Sequence, residues 1–153
     1  MRRKVTRLAA CAFIGLALSA ASANQNRCSL SVTPVAFGVY DGLKSSDIRT
    51  TGTITYNCTL SEPIVITINR GGGPNYDPRS MKQGPSDLEY NLYLDAAGTM
   101  IWGDGTGGSH VYRDNAPPPD TNVSIPVYGR IPAGQRQARV GFYDDKLLVK
   151  ASF

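Results

Sequence analysis

This chain of 153 residues has only one histidine and three cysteines, the residues of nucleophilic and soft-metal chemistry, and only one tryptophan. A hydrolytic triad would have to rest on His110 alone, and no serine stands in a nucleophile-elbow setting. The glycine loop before it, "WGDGTGGSH", lacks the Lys-Ser/Thr end of a phosphate cradle and no ribose-binding acid follows. Asp104, Asp114 and Asp120 match no calcium-loop spacing. The neighbours Asp144 and Asp145 would face opposite sides of a strand, which excludes an acid/base pair on one face. No metal, nucleotide or other cofactor is expected.

Charge of one sign is missing too. The sixteen Lys and Arg include Arg2, Arg3, Lys4 and Arg7, so beyond the first 23 residues twelve remain against twelve Asp and Glu. Nothing basic is left there to attract nucleic acid or anionic membranes. Beyond the N-terminus no run approaches the roughly 18 apolar residues that cross a bilayer, so no membrane span is expected in the remainder.

What is present begins with "MRRKVTRLAACAFIGLALSAASA": a basic start, an apolar run from Leu8 to Leu18 and Ala21-Ser22-Ala23 as a cleavage site. Residues 1–23 therefore read as a secretory signal peptide and 24–153 as one exported domain starting at Asn24. A lipobox at Cys11 is disfavoured because the apolar run follows that cysteine instead of preceding it. Export leaves Cys28 and Cys58 in an oxidising compartment, where a pair becomes a disulfide. Both sit on apolar parities of their segments, so the bridge is expected to tie the first strand to the second across the core.

The exported part reads as strands separated by Gly and Pro clusters, with no competing helical period. "CSLSVTPVAFG" switches apolar parity at Pro34, predicting a bulge or a crossing between sheets. Alternating runs follow at 50–58, 63–70, 87–95 and 121–131. The sum is an all-β, antiparallel sandwich of one domain. From Tyr143 the odd positions Tyr143, Leu147, Val149, Ala151 and Phe153 are mostly apolar, predicting a final half-buried strand with no partner after it in the sequence.

Four stretches in order, "CSLSVTPVAFGVYD", "TGTITYNCT", "RSMKQGPSDLEYNLYLDAAGTMIWGDGTGGS" and "VYGRIPAGQ", make the chain resemble the spore coat protein U domain family, the subunit domain of archaic chaperone–usher pili and related secreted proteins. The resemblance implies an immunoglobulin-like sandwich that is incomplete, lacking its last strand. It implies a non-enzymatic structural or adhesive subunit of a surface fibre, exported to the periplasm and then to the cell surface. Its expected partners are a periplasmic chaperone, an outer-membrane usher and neighbouring pilus subunits. A donated strand would lie in a groove beside Leu30, Val32, Tyr143, Leu147, Val149, Ala151 and Phe153, giving main-chain hydrogen bonds and apolar contacts. Only "NQNR" separates the expected cleavage point from Cys28, and four residues span at most about 14 Å. The reading is then of a subunit that accepts a strand without giving one, at a fibre tip or as a cap. The alternatives are a secreted coat or matrix protein that does not polymerise by strand exchange, and a small hydrolase or sugar-binding module, for which only Trp102 and surface tyrosines speak.

Overall fold

The computed structural model describes Gln25 and residues 27–153. The expected signal peptide, Cys11 and the cleavage point at Asn24 lie outside the described residues. Eight strands form: β1 (Cys28–Thr33), β2 (Ile48–Cys58), β3 (Ile64–Ile68), β4 (Arg79–Gln83), β5 (Ser86–Tyr93), β6 (Tyr112–Asp114), β7 (Val123–Ile131) and β8 (Val149–Ser152). They make a five-stranded sheet ordered β1-β2-β7-β5-β4 and a three-stranded sheet ordered β6-β3-β8, with every ladder antiparallel. Among the described residues no helix is long and apolar enough to cross a membrane.

The strands that sequence alternation marks are those whose one face is buried. In β2 the even positions Ile54, Tyr56 and Cys58 face the core, and in β7 the odd positions Ile125, Val127 and Ile131 meet them. Ile64, Ile66 and Ile68 of β3 close the core from the opposite sheet. The parity switch at Pro34 has a specific cause. β1 stops at Thr33, and the chain leaves the ladder to lie over two glycines on the inner face. A Cβ on Gly52 would stand 2.7 Å from the Thr33 carbonyl oxygen and from Val35, and one on Gly129 would stand 2.5 Å from Val35. The glycines thereby make room for Val35 and Phe37 to join the core.

The Cys28–Cys58 disulfide is present. The two residues are direct partners in the β1–β2 ladder, so the bridge joins neighbouring strands of one sheet and does not cross the core as expected. Two strands, β4 and β6, are additional to those marked in the sequence. The terminal strand is shorter than its alternation suggests: β8 begins only at Val149. Before that, Asp144 exchanges main-chain hydrogen bonds with Lys82 of β4, at 3.0 and 3.4 Å. The C-terminal segment thus touches the edge of the large sheet first and the small sheet second.

Candidate functional site: an open apolar groove

Among the described residues β8 is bonded on one side only. The Leu148 carbonyl accepts from Asn69 N at 3.0 Å and the Leu148 N–H donates to Asn69 Oδ1 at 2.9 Å, so both main-chain groups of Leu148 point toward the β3 side. Antiparallel alternation then turns those of Val149 and Ala151 to the other edge. Among the described residues nothing pairs with that edge. Beside it runs a groove of about 1130 Å³ that crosses the inner face of the large sheet. Its floor is core: Ile54, Met81, Leu88, Tyr90, Val127 and Ile131 all reach it. One wall is the end of β1 with the segment from Pro34 to Leu43, and the other is the chain from Arg136 to Val149.

Hydrogen bonds to side chains hold these irregular walls. The Tyr40 hydroxyl donates to the Pro132 carbonyl at 3.0 Å and accepts from Gln135 N at 2.9 Å, fixing the first wall to the turn after β7. The Gln135 amide accepts from Glu89 N and donates to Glu89 O, standing in for a strand where β7 has ended. The Asp145 carboxylate accepts from Tyr90 Oη at 2.7 Å and from Gly72 N at 2.9 Å, which pins the second wall to the floor. Four large apolar side chains stand at the mouth: Val39 is 92% exposed, Leu43 79%, Val140 102% and Phe142 98%. All four belong to the lining of the one groove, two on each wall.

Of the residues expected at the groove, Val32, Tyr143, Leu147 and Val149 line it. Leu30 and Ala151 pack against the core outside the lining, and Phe153 is 57% exposed. The floor, the Pro34–Leu43 wall and the exposed quartet are additional to the residues read from sequence.

Arg79 is the least expected member of this region. It is fully buried, and burial pushes its pKa down, although a guanidinium remains charged. Nη2 donates to Trp102 O at 2.6 Å and to Asn69 O at 3.1 Å, Nη1 donates to Asn91 Oδ1 at 2.7 Å, and the Tyr76 ring lies 5.0 Å away. Through Asn69, the same residue that holds Leu148, this charge braces the start of β8.

The other sites weighed in the sequence separate. Asp104 accepts from Thr106, Asp114 takes the Tyr56 hydroxyl at 2.6 Å, and Asp120 sits exposed in a turn. Among the described residues no three His, Cys, Asp or Glu side chains gather as a metal site. His110 is exposed, and Asp144 faces out while Asp145 faces Tyr90. Trp102 is buried, its Nε1 donating to Ile66 O at 3.0 Å, which removes it from contact with any sugar.

Buried tyrosines give a pH dependence. Burial first, and then a hydrogen bond to a carboxylate, raises the pKa of both Tyr56 and Tyr90. Unfolded tyrosine ionises near pH 10, so above that value the unfolded chain binds fewer protons than the folded one. Stability against urea is expected to be flat up to about pH 9 and to fall beyond about pH 10, with Tyr90→Phe weakening the fall. A midpoint unchanged to about pH 11 would contradict this linkage.

The fold is an immunoglobulin-like sandwich in which, among the described residues, the outer edge of β8 has no partner strand. The chain belongs to the Spore Coat Protein U domain family, whose family model matches residues 15–150. It is 30% identical over 130 residues to Protein U of Myxococcus xanthus, covering 76% of this chain and 70% of that one. It is also similar in fold to a chain in the crystal structure of the CsuC–CsuE chaperone–tip adhesion subunit pre-assembly complex from the archaic chaperone–usher Csu pili of Acinetobacter baumannii, with a TM-score of 0.59 and 19% identity. That match covers 84% of this chain and 40% of the other.

Proposed function

We propose that this protein is a non-enzymatic structural or adhesive subunit of a surface fibre, exported to the periplasm and completed there by a donated strand. The observation that carries the reading is the edge of β8, unpaired among the described residues, beside an apolar groove floored by core side chains. A strand from a periplasmic chaperone, and then from a neighbouring subunit handed on at an outer-membrane usher, would bond the main chain of Val149 and Ala151. Its alternate side chains would cover Leu88, Val127 and Ile131. The pre-assembly complex that shares this fold supports such partners, and its tip adhesion subunit supports the finer proposal of a place at the fibre tip or as a cap.

A peptide of alternating apolar residues tests this. At a hundred times its Kd it should stabilise by about 2.7 kcal/mol, read as a rise in melting temperature of several degrees. Leu147→Asp or Val149→Asp should abolish the rise. No shift with any alternating peptide, from a purified chain that stays a stable monomer, would favour the second reading, a secreted coat or matrix protein, which the family and the Protein U match support. Homopolymers formed through the chain's own N-terminal segment would overturn the tip assignment alone.

A further inference from the structure

The outer face of the large sheet carries a second concavity, away from the groove. It measures about 240 Å³ and lies among Arg49 and Thr51 of β2, Tyr128 and Arg130 of β7, Tyr93 at the end of β5, and the turn from Asp95 to Gly98. Register sets Arg49 directly opposite Arg130, and Tyr128 opposite both Thr51 and Tyr93. Like charges facing each other across a ladder destabilise a sheet. Here one carboxylate serves both: Asp47 Oδ2 is 2.7 Å from Arg130 Nε and 4.0 Å from Arg49 Nη2. Its Oδ1 accepts from Ala133 N at 3.0 Å. Asp95 also lines the cleft, so two carboxylates match the two guanidiniums in formal charge, and what the cleft offers an anion is guanidinium N–H donors rather than surplus charge.

The acceptors around the cleft are already engaged. Asp95 is turned into its own turn, accepting from Thr99 N, Thr99 Oγ1 and Met100 N. The Ala96 carbonyl accepts from Arg49 Nη1 at 3.4 Å. What remains for a ligand is guanidinium N–H donors, the Thr51 and Tyr128 hydroxyls, which can donate or accept, and two phenol rings, the Tyr93 hydroxyl being held by Arg130. Guanidinium forks match a carboxylate, and tyrosine rings give rigid contact area at low entropic cost. The volume is below the 300–1,000 Å³ or so of drug-sized pockets, which suits one ring and not a chain.

We propose that this cleft binds a single acidic sugar residue, its carboxylate bridging Arg49 and Arg130 and its ring lying against Tyr128. Because the cleft and the groove occupy opposite faces of one sheet, a filled groove leaves the cleft open. The test is calorimetric titration of the purified exported protein, with whatever occupies its groove, using glucuronate, glucose and acetate in turn. Glucuronate should saturate one site in the millimolar range, at least tenfold more tightly than either of the others. Arg49→Gln should weaken it about tenfold while leaving the melting temperature unchanged, since it removes one of two facing like charges. Tyr128→Ala should erase the preference for glucuronate over acetate. Equal affinity for acetate would mean that the cleft reads a carboxylate alone, as on a partner protein's acidic side chain, and would overturn the proposal. So would equal affinity for glucose, or undiminished binding by the Arg49→Gln protein.

Discussion

Replacing Arg79 with methionine is expected to cost about 3–5 kcal/mol, the scale seen when one partner of a buried charged network is removed, and to loosen the terminal strand before the rest of the fold. Methionine fills much of the volume but leaves the Trp102 and Asn69 carbonyls and the Asn91 amide oxygen buried with no donor from this side chain. Swapping a buried charge for an apolar residue is often neutral when both partners are replaced together. Here two of the partners are backbone carbonyls that no substitution removes. Arg79→Lys keeps the charge without the planar fork and should recover less than half of the loss. Urea unfolding gives the totals, and amide exchange at Leu148 and Lys150 locates the loosening. A cost below about 1 kcal/mol for the methionine variant would show that water replaces the guanidinium at little expense.

The second large effect belongs to the disulfide. Opening a loop whose ends are 30 residues apart should cost roughly 3–4 kcal/mol in the chain-entropy model, a large share of the stability of a domain this size. The Cys28→Ala/Cys58→Ala protein is the cleaner comparison, because Cys58 is buried and a serine there would add an unsatisfied hydroxyl. Its melting temperature should fall by roughly 10 °C or more, and reduction of the native protein should reproduce the fall. Since the bridge lies between adjacent strands of one sheet, the loss should appear first as fraying of β1, the strand that borders the groove. Identical melting of oxidised and reduced protein would remove the bridge from the stabilising features of the fold.

How far the sequence reveals this arrangement depends on the element. β2, β5 and β7 are legible because β-branched and aromatic residues alternate along a half-buried face. β4 is not: the residues on its inner parity are Arg79, Met81 and Gln83, and a charged residue at a core position reads as surface. β6, with three residues, is too short to show a period. The parity of the terminal segment is legible in Leu147, Val149 and Ala151. Its shortness is not, because Asp144 finds its partner in Lys82, far away in sequence. The groove follows the same division. Its terminal wall can be read from alternation, but Val39, Leu43, Val140 and Phe142 sit in loops where nothing local distinguishes an exposed apolar side chain from a buried one.

The walls of the groove come from the two ends of the described chain, Val32 on one side and Val149 on the other, over a floor drawn from β2, β4, β5 and β7. The ladders that assemble it are long-range: Ile48 pairs with Ile131, and Val65 with Ser152. Such closures are made late and slowly, since each must first overcome the entropy of a long loop. A half-folded chain therefore presents isolated apolar strands but no groove. On the proposed reading, a strand docking beside β8 would meet only molecules whose distant segments have already found one another, and the open seam would act as an inspection point that admits finished subunits and passes over the rest.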